Sequence, residues 1–318
     1  MRLIGPEDMK DFRCRAGACR HTCCKGWEID IDEETGARYA CVEGALGERL
    51  RRSIERDADG AHFRLDGEER CPFLNRDGLC DLILELGEDA LCQICRDHPR
   101  YRNFFSDHVE IGLGLVCEEA AAQTVSREAP LRLITLEDDG EREEIPEEEA
   151  EICSIRDCLL MLAQDRSMPM EARLLAIRKE EGLPEVHLNE TMLSCFLELE
   201  TLDPAWPELL KKAGEMPKEE YLTPDMEKPA EQIFCYLISR HIPGALEDGA
   251  VSERILFCML GLEVIFRTAA VLPVNGKEAL AEAARLFSGE IEYSDENMDQ
   301  ILDVLSETLE DACGEQDI

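Results

Sequence analysis

Cysteine is concentrated in one part of this 318-residue sequence. Ten of the sixteen cysteines precede residue 118, and the other six are scattered singly through the rest of the chain. The N-terminus lacks an apolar signal region and no run of about 18 apolar residues occurs, so we expect a soluble, cytoplasmic protein without a membrane partner. In that compartment thiols stay reduced, and clustered cysteines indicate metal or redox chemistry rather than disulfides. The first part of the chain is therefore predicted to bind metal.

The predicted metal ligands fall in two segments. The first is CRAGACRHTCCKGW at 14–27, and the second runs from CPFLNRDGLC through LCQICRD to Cys117. The turn signal NRDG at 75–78 predicts a hairpin that brings the flanking cysteines together. Cys92 and Cys95 lie three residues apart on a predicted helix, so their thiols share a face. Cys41 lies outside any tight spacing and is left open as a ligand. The predicted ligands are Cys14, Cys19, Cys23, Cys24, Cys71, Cys80, Cys92, Cys95 and Cys117.

Nine thiols are too many for a single centre. One tetrahedral zinc takes four ligands, and one 4Fe–4S cluster takes four, or three with an open iron. Either two centres are present, or some cysteines belong to the core or surround the ligands. Zinc and iron–sulfur both remain open, since thiolates are soft ligands that suit either.

Several classes of protein are excluded or disfavoured. A radical-type S-adenosylmethionine site needs CxxxCxxC, but the third cysteine after Cys19 and Cys23 is replaced by Gly26, and no alternating strand–helix pattern follows. No GxGxxG follows a strand, so a Rossmann nucleotide site is unsupported. The net charge is −37, divided into −9 over residues 1–125 and −28 over the remainder. Because phosphate contacts need a basic surface, we expect no nucleic-acid partner.

The pattern predicts a mainly α protein. An irregular cysteine-rich, metal-binding region with short helices and a hairpin is expected at 1–125, packed on a C-terminal helical domain at 151–318. The linker at 126–150 contains a strand-like LRLITL and an acidic turn before a helix that begins after a proline. Asn189 is a predicted N-cap, and Gly182 a predicted C-terminal stop. The scattered cysteines, such as Cys195 and Cys258, are expected in the core.

The cysteine segments carry a specific resemblance. FRCRAGACRHTCCKGWEIDID, CPFLNRDGLC, GEDALCQICRDHPR and VEIGLGLVCEEAA, in this order over residues 12–125, resemble the flagellin lysine-N-methylase family, part of a wider group of cysteine-cluster proteins described as chelating zinc or iron. Mild departures are His98, where an aromatic residue is common, and Glu118-Glu119 in place of Pro-Glu. Besides the nine cysteines, the family's conserved positions fall on Gly26, Trp27, Pro99, Arg100 and Glu110.

The resemblance implies an iron–sulfur enzyme, with a 4Fe–4S cluster favoured over zinc. Its activity would be protein-lysine N-methylation, with transfer of a methyl group from S-adenosyl-L-methionine to a lysine of flagellin or a similar Lys-bearing protein. A lysine amine has a pKa of about 10.4 in water, so it must lose a proton before it attacks. Glu110, which lies between apolar residues, is the preferred catalytic candidate, with His98 and Tyr101 beside it. Trp27 and Arg100 are the candidates for binding the methyl donor.

Two other functions compete with the enzyme. The chain would serve as a non-catalytic zinc- or iron-binding module that organises a helical protein-interaction domain, or as an electron-transfer protein. The electron carrier is the weaker idea because it would not need so large a helical domain. Metal and sulfide analysis followed by a methyl-transfer assay separates the three.

Overall fold

The computed structural model describes residues 1–58, 60–141, 143–216 and 224–316, and over these residues the chain is mainly helical, as predicted. The strands are β1 Arg2–Pro6, β2 Ile54–Arg56, β3 Ala61–Phe63, β4 Arg100–Phe104, β5 His108–Leu113 and β6 Leu133–Asp138. The α-helices are α1 Glu33–Ala40, α2 Gly44–Ser53, α3 Asp81–Leu86, α4 Gln93–Asp97, α5 Glu118–Ser126, α6 Glu147–Ala163, α7 Met170–Glu180, α8 Glu190–Glu198, α9 Trp206–Gly214, α10 Glu227–His241, α11 Ala245–Asp248, α12 Val251–Val271, α13 Gly276–Phe287 and α14 Asp295–Gln316. Within the described ranges, no helix is long and apolar enough to cross a membrane.

The chain forms two compact units. The cysteine-rich unit is Arg13–Arg100, and the helical unit combines Met1–Phe12 with Tyr101–Ile318. These limits differ from the predicted boundaries at 125 and 150. The reason is strand pairing: β1 is parallel to β5 and antiparallel to β6, which draws the first residues and the predicted linker into the helical unit.

A four-stranded mixed sheet, in the order β4-β5-β1-β6, is part of the helical unit. The last four residues of the LRLITL segment form the first part of β6, and α6 begins after Pro146, as the sequence predicted. The sheet itself was not predicted, because long stretches of chain separate β1 from β5 and β5 from β6, and these strands pair only in the folded state.

The helical unit is built on two buried helices. Every described apolar side chain of α10 is buried, and α12 packs against α9, α10, α13 and α14. Cys258 is fully buried there, whereas Cys195 is only half-buried. The Asn189 side chain accepts a hydrogen bond from the Met192 N–H at 2.9 Å, which confirms the predicted N-cap of α8. Gly182 follows the end of α7 with φ +66°, as a C-terminal stop requires.

The cysteine-rich unit has a separate apolar core. Asp32 caps α1 by accepting the Thr35 N–H at 2.9 Å, and its other oxygen accepts the Gln93 N–H at 2.8 Å, so one carboxylate joins the starts of α1 and α4. The core contains Ile29, Ile31, Tyr39, Leu46, Leu50, Phe63, Phe73 and Leu82, together with Cys71 and Cys92. Cysteine therefore contributes to the centre of this unit.

Candidate metal centre

Five of the nine predicted ligands lie together in the core of the cysteine-rich unit. Cys71 and Cys92 are buried, and three half-buried cysteines pack on the same core. The Sγ atoms of Cys92 and Cys95 are 3.4 Å apart. This group of thiols, called the thiol cluster below, consists of Cys24, Cys71, Cys80, Cys92 and Cys95. Its members come from segments about seventy residues apart in sequence, as a shared centre requires.

Local backbone structure brings these segments together. The Cys71 N–H donates to the Cys24 carbonyl at 2.8 Å, which pairs the first segment with the start of the second. The turn at 75–78 then returns the chain, with an antiparallel bridge between Leu74 and Cys80. The predicted turn is therefore present, and it brings Cys71 and Cys80 close enough to interact electrostatically.

Asn75 organises the turn. Its Oδ1 accepts the N–H groups of Asp77 and Leu79, each at 3.0 Å, and its Nδ2 donates to Asp81 at 2.9 Å. Gly78 has φ +71°. A Cβ atom at this position would lie 3.3 Å from the Gly17 Cα. The loop of the first cysteine segment consequently packs directly on this turn.

The position of Cys92 corrects one prediction. The segment 88–97 is not one helix, because 88–90 form a separate 3-10 turn and α4 starts only at Gln93. Cys92 is the N-cap residue of α4, with extended backbone, and Cys95 lies in its first turn. The shared face of the two thiols is nevertheless confirmed by their separation.

Burial and mutual contact shift the acidities of these thiols. Burial raises the pKa of Cys71 to about 12 and also raises that of Cys80. A hydrogen bond with Cys23 lowers the pKa of Cys24 to about 7 against the opposing effect of burial. The bond between Cys92 and Cys95 lowers the pKa of Cys92 and raises that of Cys95. Cys71, Cys80 and Cys95 thus resist ionisation, whereas Cys24 and Cys92 lose a proton more easily, as expected when neighbouring thiols share protons.

Tyr39 is a residue that the sequence analysis did not assign to the site. Its ring is buried in the core, and its hydroxyl is a buried polar atom without a hydrogen-bond partner. Burial raises the pKa of Tyr39, and the nearby charges of Cys92 and Cys95 raise it further. A buried hydroxyl without a hydrogen-bond partner costs free energy. Because the Tyr39 hydroxyl lies near the thiols and can donate a hydrogen bond, a group bound in the cluster would give it an acceptor. Its sequence signal is only its place on the buried face of α1, one turn after Thr35.

The other predicted ligands lie outside the thiol cluster. Cys14 and Cys23 are exposed, Cys19 is half-buried, and the Cys14 sulfur accepts the Ala16 N–H at 3.3 Å. Cys117 is the N-cap residue of α5 in the helical unit, and Cys41, which the sequence left open as a ligand, is exposed at the end of α1. Their assignment as ligands stays a prediction.

The donor set fits a thiophilic metal or cluster in its chemistry. Soft sulfur donors from four separate stretches of chain share one core beside an unsatisfied hydroxyl. Among the described residues, no disulfide is present, and no three or more His, Cys, Asp or Glu side chains are arranged to hold a metal ion. Cys92 and Cys95 form a hydrogen bond between their sulfurs.

His98 and Trp27 lie next to the cluster within the same unit. Their rings stack with centroids 6.2 Å apart, and the Trp27 Nε1–H donates to the Cys23 carbonyl at 2.7 Å. Burial lowers the pKa of His98 to about 4, so its imidazole is uncharged at neutral pH. Arg100 donates to the Arg96 carbonyl at 3.2 Å, near the end of α4.

Glu110 lies on β5 of the helical unit and is buried, as predicted, but it is paired. It accepts hydrogen bonds from Arg156 of α6 and from the His108 Nε2, the latter at 3.3 Å. Burial opposes ionisation of Glu110, yet the bonds to His108 and Arg156 lower its pKa. A carboxylate held in its charged form by a guanidinium is a weak proton acceptor, so this geometry favours an ion pair over a general base.

Tyr101 is also packed into the helical unit. Its ring meets Tyr236 edge-on at 6.0 Å, and the Arg240 guanidinium lies 5.2 Å from its centroid. Gly112 is needed beside it, because a Cβ there would lie 2.3 Å from the ring. The cavity next to Tyr101 measures about 30 Å³, which is room for water but not for a lysine side chain. Burial raises the pKa of Tyr101, so the phenol stays protonated.

The fold and site define a mainly helical protein with a thiol-rich unit. Lysine-N-methylase of Salmonella choleraesuis (strain SC-B67) is 30% identical over 135 residues, which are 38% of this chain and 32% of that protein. Lysine-N-methylase of Salmonella typhimurium is 30% identical over 134 residues, with the same shares. Flagellar biosynthetic protein FliU of Salmonella muenchen is 28% identical over 130 residues, which are 38% of this chain and 75% of that protein.

These relatives agree with the resemblance drawn from the cysteine segments: over the 130 to 135 residues that they match, the chain is similar to lysine-N-methylases. The chain spans about a third of the length of the two lysine-N-methylases. No family model matches the chain, and no solved structure matches it.

Proposed function

We propose that this chain is an iron–sulfur-containing, S-adenosylmethionine-dependent methyltransferase that acts on lysine side chains of flagellin or a similar protein. The observation that carries the proposal is the thiol cluster, in which five sulfurs share one core with the unsatisfied hydroxyl of Tyr39. The names of the relatives, Lysine-N-methylase and FliU, support the reaction and a flagellar substrate.

The thiol cluster would hold the metal group. Four of its five sulfurs suffice for a 4Fe–4S cluster, which leaves one thiol beside it or a role for Cys24 in a second centre with its neighbour Cys23. When bound, such a cluster supplies a redox centre whose potential depends on hydrogen bonds to its sulfurs. Tyr39 is the residue placed to donate such a bond, because its hydroxyl has no other partner.

The proposed reaction is a nucleophilic substitution. The lysine Nζ, once it has lost a proton, attacks the methyl carbon of S-adenosylmethionine and forms a C–N bond. The S–CH₃ bond breaks and its electron pair stays on sulfur, which gives S-adenosylhomocysteine. One further proton is released from the methylated ammonium when it returns to the free amine. The protein must therefore bind two cationic chains and exclude water from between them.

Residues of the cysteine-rich unit fit parts of this task. His98 has an uncharged imidazole and is the catalytic candidate that lies in the same unit as the cluster. Trp27 offers a ring face to a sulfonium, and the Arg100 guanidinium is the proposed partner of the donor's carboxylate. Glu110 and Tyr101 remain candidates from sequence, although the pairing and packing described above give each of them a structural role.

The test is methyl transfer by the anaerobically purified chain. With iron and acid-labile sulfide present, labelled S-adenosylmethionine should label lysine in flagellin, and no label should appear in flagellin whose surface lysines have been acetylated. Iron and sulfide without any transfer to flagellin or another lysine-rich protein would reject the methyltransferase and leave an electron carrier or a binding module.

A second candidate is the non-catalytic module. It is favoured by the burial of Cys71 and Cys92 among apolar side chains, where a structural zinc would contribute to folding directly. A chain that carries zinc and no acid-labile sulfide would support the module and reject the iron–sulfur enzyme.

A further inference from the structure

A groove opens on the cysteine-rich unit, and two of its lining residues, Trp27 and Phe63, also belong to the core that contains the thiol cluster. Its volume is about 340 Å³, within the range of about 300–1,000 Å³ that small-ligand pockets occupy. Aromatic, aliphatic and charged side chains all contribute to it. The lining residues used below are Trp27, Glu28, Glu55, His62, Arg64 and Glu69.

Backbone pairing holds the two walls of the groove in place. The Gly26 N–H donates to the Glu69 carbonyl at 3.0 Å, and the Phe63 N–H donates to the Ile29 carbonyl at 3.0 Å. β2 and β3 form a hairpin that carries His62 and Phe63. The groove is thus formed by paired backbone, not by loose side chains, and a ligand would not have to order it.

Trp27 gives the groove an aromatic wall that is fixed at two points. Its indole N–H donates to the Cys23 carbonyl, and one side of its ring stacks on His98. The ring contributes to the groove lining. An aromatic face attracts a cation that lies within about 6 Å of the ring, most strongly when the ring is a tryptophan.

The lining of the groove also carries an excess of carboxylates. Glu28 and Glu55 each place an oxygen 3.8 Å from the His62 Nε2, and their side chains are 60% and 44% exposed. Glu69 is the third carboxylate, whereas Arg64 is the groove's guanidinium and is paired with Glu55. Three carboxylates against one guanidinium leave the groove negative and able to accept a further cation.

We propose that this groove binds an alkyl onium group, with the cation between the ring of Trp27 and the carboxylates of Glu28 and Glu55 and with its aliphatic stem along the apolar lining. The proposal rests on the proposed function for the source of the cation, which is either the ammonium of the substrate lysine or the sulfonium of S-adenosylmethionine. Both are cations on flexible alkyl chains, so an aromatic face and carboxylates can bind the charge while the apolar lining covers the stem.

Binding measurements on the metal-loaded full chain distinguish the two sources. One arm titrates a short peptide with a single central lysine between glycine and serine residues against the same peptide with norleucine, which has a similar stem but no charge. The other arm titrates S-adenosylmethionine against S-adenosylhomocysteine, which lacks the sulfonium. The double variant Glu28→Gln, Glu55→Gln should weaken the binding of one charged ligand by about five- to tenfold, and that of its neutral counterpart by much less.

Matched variants separate the groove from general damage. Trp27→Phe and Trp27→Leu both lose the indole N–H, but only the phenylalanine variant keeps an aromatic ring. If the affinity for the cation falls in the leucine variant alone, the aromatic face and not the N–H contributes to binding. Glu48→Gln, an exposed carboxylate on α2, should change neither titration. Iron content and thermal unfolding should remain those of the parent in the glutamate variants.

Each outcome decides the proposal without reference to turnover. Loss of lysine-peptide affinity assigns the groove to the substrate, and loss of S-adenosylmethionine affinity alone assigns it to the methyl donor. Unchanged affinity for both charged ligands in the double glutamate variant overturns the proposal that the groove binds an onium group, even when methyl transfer is observed. Charge-dependent binding without methyl transfer supports the proposed onium site and rejects the proposed reaction.

Discussion

At the scale of single residues, the buried hydroxyl of Tyr39 lacks a hydrogen-bond partner that a bound cluster would supply. A buried donor without a partner costs about 1–3 kcal/mol, and the nearby groups that carry lone pairs are the thiols of the cluster. A bound iron–sulfur cluster would give the hydroxyl an acceptor. The cost in the metal-free chain then becomes part of the preference for the loaded state.

We therefore expect Tyr39→Phe to keep the iron but to change its potential. Loss of a hydrogen bond to sulfur disfavours the more negatively charged reduced cluster, so the midpoint potential should become more negative. Electrochemistry on the loaded protein measures the shift, with iron and sulfide content as the control. An unchanged potential would mean that the hydroxyl does not contact the cluster.

Glu292 predicts how the helical unit responds to acid. It is fully buried and accepts hydrogen bonds from Tyr236 at 2.7 Å and His241 at 2.6 Å. Burial opposes its charge, but Arg240 and His241 hold the pKa of Glu292 down at about 2. Since its unfolded pKa is about 4.3, it stabilises the fold above that value, and the stabilisation is lost as the pH falls toward about 2.

The variant Glu292→Gln should be less stable at neutral pH and should lose much less stability than the parent between pH 5 and pH 3. Trp206, which is buried in the helical unit, reports unfolding by fluorescence once Trp27 is replaced by Phe. Glu128→Gln is the control, because Lys228 and Lys277 also lower the pKa of Glu128 to about 2, but at an exposed position where solvent screens the effect. Equal acid sensitivity in parent and Glu292 variant would contradict the assignment.

At the scale of elements, the turn at 75–78 links the two cysteine segments. Asn75→Ala removes two accepted bonds and one donated bond at once, so we expect a loss of about 1–3 kcal/mol in unfolding free energy and a reduced iron content. Asn189→Ala removes the cap of α8 in the other unit, costs about 1 kcal/mol, and should leave the iron unchanged. Denaturant unfolding and iron analysis of both variants test this difference. Equal loss of iron in both variants would contradict a specific role of the turn in metal binding.

The elements also show what the sequence could predict. Helices α6, α7, α8, α10, α12, α13 and α14 follow from local apolar periodicity, whereas α9 and α11 were not predicted. The caps at Asn189 and Gly182 follow from local hydrogen bonding and backbone freedom. The sheet was missed because parallel pairing of β1 with β5 joins residues more than a hundred positions apart, which no local pattern encodes.

The candidate site was predictable to a similar degree. Spacing alone indicated that Cys92 and Cys95 share a face and that a turn brings Cys71 near Cys80, and both are observed. Tyr39 and the groove beside Trp27 were not predicted, since each depends on which residues from distant segments meet after folding. Glu110 was correctly expected to be buried, but its partner Arg156 lies 46 residues later and gave no local signal.

At the scale of the whole molecule, two cores divide the cysteines between them. Those of the thiol cluster lie in the core of the cysteine-rich unit, while Cys235 and Cys258 are fully buried among the apolar side chains of α10 and α12. Burial raises the pKa of both helical-unit thiols, as expected for cysteine that behaves as a small apolar residue. Burial alone therefore does not distinguish the two classes of cysteine, whereas proximity to other sulfurs does.

Substitution of each class tests this division directly. Cys92→Ser and Cys95→Ser should each abolish metal loading and lower the stability of the cysteine-rich unit, because structural metal binding is part of the folding free energy. Cys195→Ser and Cys258→Ala should leave iron, sulfide and zinc per chain unchanged, although Cys258→Ala removes a buried sulfur and should destabilise the helical unit modestly. Metal analysis after anaerobic purification measures the first effect and fluorescence of Trp206 the second. If all four variants lose metal alike, loading depends on the stability of the whole chain, and the thiol cluster is not the site.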